Sequence, residues 1–229
     1  VGSFFIVPIG ADGIWGPYHS SSVESVLANI KGIKIAYPST GADLKGLMKA
    51  AYYDPNPCVM LEHKGLYWSK IKGTEDAKTI EPDEDYVIPF GKGRVVIEAS
   101  QENIDKGESL AIITYGMGVY WSKTAAKQFK DKIEIIDIRK IHPLDEELII
   151  DTVNKHGKCL VVTEEPSANS FAQSIAAIVS KKCFEKLDAP VDVIGSENVP
   201  AIPLNSILEE AMIPNASKVE ERINKLFNY

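Results

Sequence analysis

His19 has the strongest local claim to chemistry in this 229-residue sequence. It sits in Trp15-Gly16-Pro17-Tyr18-His19-Ser20-Ser21-Ser22-Val23-Glu24, between a Gly-Pro turn and a run of serines. Ser21 and Glu24 have the spacing of a capping box, which predicts that a helix opens there. His19 would then lie at the positive end of that helix. Such a position disfavours imidazolium and keeps the ring neutral near pH 7, able to give or take a proton. The same residues also allow a plain exposed loop histidine.

Three other groups carry candidate chemistry. Asp54-Pro55-Asn56-Pro57 offers a carboxylate and an amide oxygen just past a predicted helix end, where carbonyls are free. Such oxygen clusters can hold a cation, and they can equally just stop a helix. Glu164-Glu165 closes a predicted strand at its carboxyl end, where α/β sheets place ligands, and a solvated strand end reads the same way. Arg139 and His142 close another strand and fit either a site or a structural ion pair. No dinucleotide fingerprint, Walker-type loop, nucleophile elbow or local zinc motif occurs in the sequence.

The elements that must position these residues follow from periodicity. A helix with Val23, Val26, Leu27 and Ile30 on one stripe ends at Lys31-Gly32. "IKIAYP" is a strand. Thr40 to Asp43 is a second capping box, opening a helix with Leu44, Leu47, Met48, Ala51 and Tyr52 at helical spacing. "CVMLE" (Cys58–Glu62) is a strand. Residues 1–68 therefore read as part of an α/β domain. Residues 69–107 read as a charged linker followed by a β-hairpin or meander around Gly91 and Gly93. From residue 108 to 229, strands at Ser109, Ile133, Lys158 and Pro190 alternate with helices. This predicts a second, complete α/β domain with a mostly parallel sheet covered on both faces. The abrupt apolar start, "VGSFFIVPIGADG", predicts a fragment of a longer chain or one strand of a larger sheet.

Composition excludes some functions. The net charge of −7 and the scattered 25 Lys and Arg give no nucleic-acid footprint. No apolar run is long enough to span a membrane. Cys58, Cys159 and Cys183 are too far apart for a metal pair and are odd in number. They suit a reducing compartment, so the cytoplasm is expected.

Taken together, the motifs resemble the beta subunit of thiamine-diphosphate-dependent 2-oxoacid dehydrogenases, or the beta half of a fused alpha–beta chain. "YHSSSVES" is similar to that family's His-Ser-x-Ser-x-Glu stretch. "YPSTGADLKGLMKAAYYDPNPCVMLEHKGLY", "IDIRKIHPLDEELI", "VVTEE" and "DAPVDVIGSENVPAIP" resemble successive later stretches of the family, so the likeness runs along essentially the whole sequence. It implies the last part of a pyrimidine-binding domain followed by a transketolase C-terminal-type domain. It implies oxidative decarboxylation of a pyruvate-like or branched-chain 2-oxoacid, with His19 assisting acyl transfer to lipoyl. The cofactor would be thiamine diphosphate with magnesium, held mainly by segments outside this sequence. A structural potassium would be held by Ala51, Tyr52, Asp54 and Asn56. The implied partners are an alpha subunit or alpha half, a second beta copy and a lipoyl-bearing acyltransferase. The alternatives are a non-catalytic assembly module of the same complex or another transketolase-type enzyme.

Overall fold

The computed structural model describes residues 2–11 and 13–229. In chain order the strands are β1 (Phe4–Ile9), β2 (Lys34–Ala36), β3 (Cys58–His63), β4 (Arg94–Ile97), β5 (Leu110–Thr114), β6 (Ile133–Asp137), β7 (Lys140–His142), β8 (Cys159–Pro166) and β9 (Asp192–Ser196). The helices are α1 (Glu24–Ala28), α2 (Gly41–Tyr52), α3 (Gln101–Asp105), α4 (Gly118–Ala126), α5 (Glu146–His156), α6 (Phe171–Lys182), α7 (Ser206–Met212) and α8 (Ala216–Phe227).

Two sheets form. The first has the order β1-β3-β2-β7 and is parallel except for β7. The second has the order β4-β6-β5-β8-β9 and is parallel except for its edge strand β4. The mostly parallel sheet expected after residue 108 is therefore present. Its central strands β5 and β6 are buried at every position, as a sheet covered on both faces requires.

Local signals explain most helix limits. The Thr40 hydroxyl accepts the Asp43 amide at 3.2 Å and starts α2. Asp145 accepts the Leu148 amide to start α5, and Gly157 ends that helix in the left-handed conformation at φ 69°. Asn215 caps α8 through the Lys218 amide.

Two expectations are corrected. The hairpin or meander over residues 86–97 does not form, and only Arg94–Ile97 is a strand. The preceding stretch is used differently. Ile88 donates its amide to the Gly46 carbonyl and packs with Leu47 and Met60 against α2. The first helix is also shorter than its apolar stripe, ending at Ala28.

The two units are joined by more than a linker. β7 comes from the C-terminal half yet pairs antiparallel with β2. Arg139 reaches Asp43 at 3.0 Å, and Arg94 reaches both Asp43 and Asp137 at 3.3 Å. Ser39 donates to Asp137 at 2.5 Å. One apolar cluster runs through both units, joining Ile35, Tyr37 and Leu61 to Ile113, Tyr115 and Val161.

Candidate functional site

Strands β1 and β3 run parallel, and Ile9 stands opposite His63. Both chains therefore leave the sheet at the same carboxyl edge, the usual ligand edge of such sheets. The β1 exit leads into the loop that carries His19. The β3 exit places His63 and Lys64 beside it.

His19 is exposed in a turn, with its amide directed to the Gly16 carbonyl at 3.4 Å. It lines an open cleft of about 520 Å³ with Val7, Trp15, Tyr18, Val23 and Lys64. The Lys64 ammonium stands 4.8 Å from the Trp15 ring centroid. The cleft thus offers an imidazole, an ammonium and two aromatic rings, facing outward. Such a donor set suits a histidine that meets a bound group from one side, with the group anchored elsewhere.

The predicted placement of His19 at a helix start is corrected. Helix α1 begins at Glu24, with Val23 in the cap position and no side-chain capping bond. Ser21 instead donates to the Pro17 carbonyl at 3.4 Å. The Glu24 side chain turns inward and is fully buried, so it cannot reach back to complete a capping box.

Glu164 and Glu165 are also corrected. Neither forms a solvated strand end, because both are buried. Glu164 takes the Ala11 amide at 2.6 Å on one oxygen and His63 Nε2 at 2.6 Å on the other. The Gly65 amide donates to His63 Nδ1 at 3.1 Å, which leaves Nε2 directed at Glu164. Burial pushes the Glu164 carboxyl up, but the His63 and Ala11 contacts outweigh it and hold the group below its ordinary value. Glu165 takes the Ser25 and Phe171 amides, each at 2.8 Å. Glu24 has no hydrogen-bond partner on either oxygen. Burial, with the Glu165 charge nearby, pushes it well above its ordinary value.

His63 and Glu24 are the residues that sequence reasoning missed. His63 ends a strand and stands two residues before a glycine, a weak signal at most. Glu24 reads in sequence as the last residue of a capping box. Of the other candidates, Arg139 is structural. It binds Asp43 and the carbonyls of Lys92 and Gly93 at 3.0 and 2.9 Å. His142 is exposed at the end of β7, away from these contacts.

At the turn suggested for potassium, the Asp54 carboxylate is already partnered. Asp54 already carries Lys34 on Oδ2, and its Oδ1 accepts both the backbone and side-chain N–H of Asn56 at 2.9 Å. The Ala51 carbonyl accepts the amides of Tyr53 and Asp54. The ammonium of Lys34 supplies the positive charge the turn calls for. Among the described residues, no group of three or more His, Cys, Asp or Glu could hold a metal ion, and no helix is long and apolar enough to cross a membrane.

Known proteins were compared with this chain. It is 39% identical over 215 residues to the 2-oxoisovalerate dehydrogenase subunit beta of Bacillus subtilis (strain 168), covering 93% of this chain and 61% of that protein. It is 35% identical over 225 residues to the pyruvate dehydrogenase E1 component subunit beta of Rickettsia conorii, covering 97% of this chain and 64% of that one. It thus spans about three fifths of the length of these relatives. Among solved structures, a split gene transketolase, described as an inactive beta4 tetramer, matches with a TM-score of 0.71 at 16% identity. The match covers 97% of this chain and 66% of that chain, a likeness of fold. The model of the transketolase pyrimidine-binding domain matches residues 1–69, the unit built on β1, β2 and β3. Residues 100–219 match the model of the transketolase C-terminal domain, and with more than half its length so matched the chain belongs to the transketolase family.

Proposed function

We propose that this chain is part of the decarboxylating component of a thiamine-diphosphate-dependent 2-oxoacid dehydrogenase. The substrate would be a pyruvate-like or branched-chain 2-oxoacid. The observation that carries the reading is the 39% identity to a 2-oxoisovalerate dehydrogenase beta subunit across 93% of this chain, His19 included in the span of likeness. The division at residues 68 and 107 belongs to the same reading: a pyrimidine-binding part, a connecting segment and a C-terminal domain.

Thiamine diphosphate supplies the electron sink that lets a 2-oxoacid lose carbon dioxide. Magnesium and the diphosphate would be held mainly by other segments of the assembly. The cleft residues fit the reacting side of such a group. His19, exposed at the carboxyl edge of the first sheet, would hold or deliver a proton during acyl transfer to a lipoyl group. Trp15 and Tyr18 would exclude water from one wall. Lys64 would bring positive charge to the same wall. Its partners would be an alpha subunit or alpha half, a second beta copy and a lipoyl-bearing acyltransferase. The three cysteines are unbridged and buried, which supports a cytoplasmic setting.

The test reconstitutes this chain with a matching alpha subunit and the upstream beta segment, and follows thiamine-diphosphate-dependent decarboxylation and lipoyl acylation. Restored activity is expected. His19→Ala is expected to slow acylation by about 100-fold or more while leaving cofactor affinity within a few-fold. No activity in the mixture would overturn the assignment, and an unchanged acylation rate would overturn the role of His19.

A further inference from the structure

The His19 loop has little structure of its own. Between Gly13 and Val23 the backbone bond inside it is His19 to Gly16, at 3.4 Å. Its position is set from outside, and three carboxylates do so. Ala11, before the loop, donates its amide to Glu164 at 2.6 Å. Ile14 donates to both oxygens of Glu209, at 3.1 and 3.2 Å. Ser25, after the loop, donates to Glu165 at 2.8 Å. All three acceptors lie in the C-terminal unit and all three are buried.

The anchors are themselves fixed. The second oxygen of Glu164 takes His63 Nε2, and the second oxygen of Glu165 takes the Phe171 amide at the start of α6. Each of these two carboxylates therefore bridges the loop to a rigid element, one donor per oxygen. An amide cannot do this. Glutamine has one acceptor oxygen and would set an N–H against one of the two donors.

We infer that Glu164, Glu165 and Glu209 are positioning residues for His19, so that the C-terminal unit places the histidine of the pyrimidine-binding unit. The anchoring stands on geometry alone. Its effect on acyl transfer rests on the role proposed above for His19.

Two readouts test it. Hydrogen–deuterium exchange of this chain reports the loop, and modification of His19 by diethyl pyrocarbonate, followed by peptide mass, reports the imidazole. Exposed His142 serves as the internal reference. Glu164→Gln and Glu165→Gln are expected to raise exchange at the amides they hold, Ala11 and Ser25 respectively, by about tenfold or more. The amides of β5 and β8 should not change, and the His19 modification rate should shift against that of His142. Glu221→Gln, an exposed charge with no ion pair among the described residues, should do neither. If the two glutamine variants fail to fold, Glu209→Ala keeps the question open to refutation. It lies in a short surface helix and should free Ile14 and its neighbours locally. Unchanged exchange in the folded variants would overturn the anchoring even if His19→Ala slows acylation. Raised exchange with no effect of His19→Ala would sustain the anchoring and overturn the functional reading alone.

Discussion

His63 and Glu164 lie 101 residues apart in sequence and meet through Nε2 and Oε2 at 2.6 Å, both side chains withdrawn from water. One residue ends a strand of the pyrimidine-binding unit and the other a strand of the C-terminal unit. The pair is therefore a joint between units, and it sits directly behind the loop that carries His19. Removing the imidazole would leave a buried carboxylate with only the Ala11 amide. His63→Leu is expected to cost about 3 kcal/mol in urea unfolding at pH 7. The sign with pH is set by Glu164, whose proton is held less readily in the folded chain than at its ordinary value of 4.5. That stabilisation is fully present above 4.5 and is lost as pH falls through the lower folded value. The difference between His63→Leu and the parent should therefore shrink below pH 4.5. A deficit that stays constant from pH 7 to pH 3 would show that His63 acts by packing alone.

Glu24 gives the opposite pH dependence. Buried without a partner and near Glu165, it keeps its proton well above the ordinary value of 4.5. The unfolded chain releases that proton above 4.5, while the folded chain retains it. Stability is thus lost as pH rises from 4.5 toward the folded value, by up to about 1.4 kcal/mol per pH unit. Glu24→Gln copies the protonated group and removes this slope. Denaturant unfolding over a pH series that starts at 4.5 and rises should show the variant gaining on the parent until the folded value of Glu24 is passed. The slope is the test, because the new amide shifts all points together. Parallel curves would mean that Glu24 is ionised in the folded chain.

The alternation of strands and helices after residue 108 was legible because fully buried parallel strands read as apolar runs and the helices carry local stop signals. Thr40, Asp145 and Gly157 act within three or four residues, so sequence spacing is enough to find them. The Ser21–Glu24 pattern shows the limit of that logic. The spacing was right, but the Glu24 side chain is buried in the core instead of capping the helix, and burial depends on residues far away in sequence. The same holds for β7, three residues whose pairing with β2 depends on how Arg139 and Asp43 bring the units together. His19 could be picked out as a loop residue. Its anchors could not, because Glu164, Glu165 and Glu209 lie 153, 140 and 195 residues from Ala11, Ser25 and Ile14, whose amides they hold about the loop. The partner of the Asp54 carboxylate, Lys34, likewise lies 20 residues away on β2, beyond the reach of local spacing.

His19 should be dispensable for folding. Its side chain is exposed, and no side-chain bond from it is present among the described residues. Exposed positions of this kind change stability by about 0.5 kcal/mol or less when substituted. His19→Ala is expected to unfold within that margin of the parent in urea. This separates a residue kept for chemistry from one kept for structure. A loss above about 1.5 kcal/mol would assign the histidine a structural role and undercut any activity loss attributed to it.

Two glycines separate backbone strain from crowding. Gly107 (φ 70°) and Gly116 (φ 55°) both lie in the left-handed region. A Cβ on Gly107 would meet nothing within 4 Å, whereas one on Gly116 would lie 2.4 Å from the Tyr37 ring. That ring is buried and packs at 5.6 Å against Tyr115, joining the two units. Gly107→Ala should therefore pay only the conformational cost, about 1 kcal/mol. Gly116→Ala pays that and must also displace Tyr37 from a close-packed core, adding roughly 1–3 kcal/mol. Urea unfolding of the two variants measures the difference directly. Equal losses would mean that Tyr37 moves freely, and that the junction between the units is looser than its packing indicates.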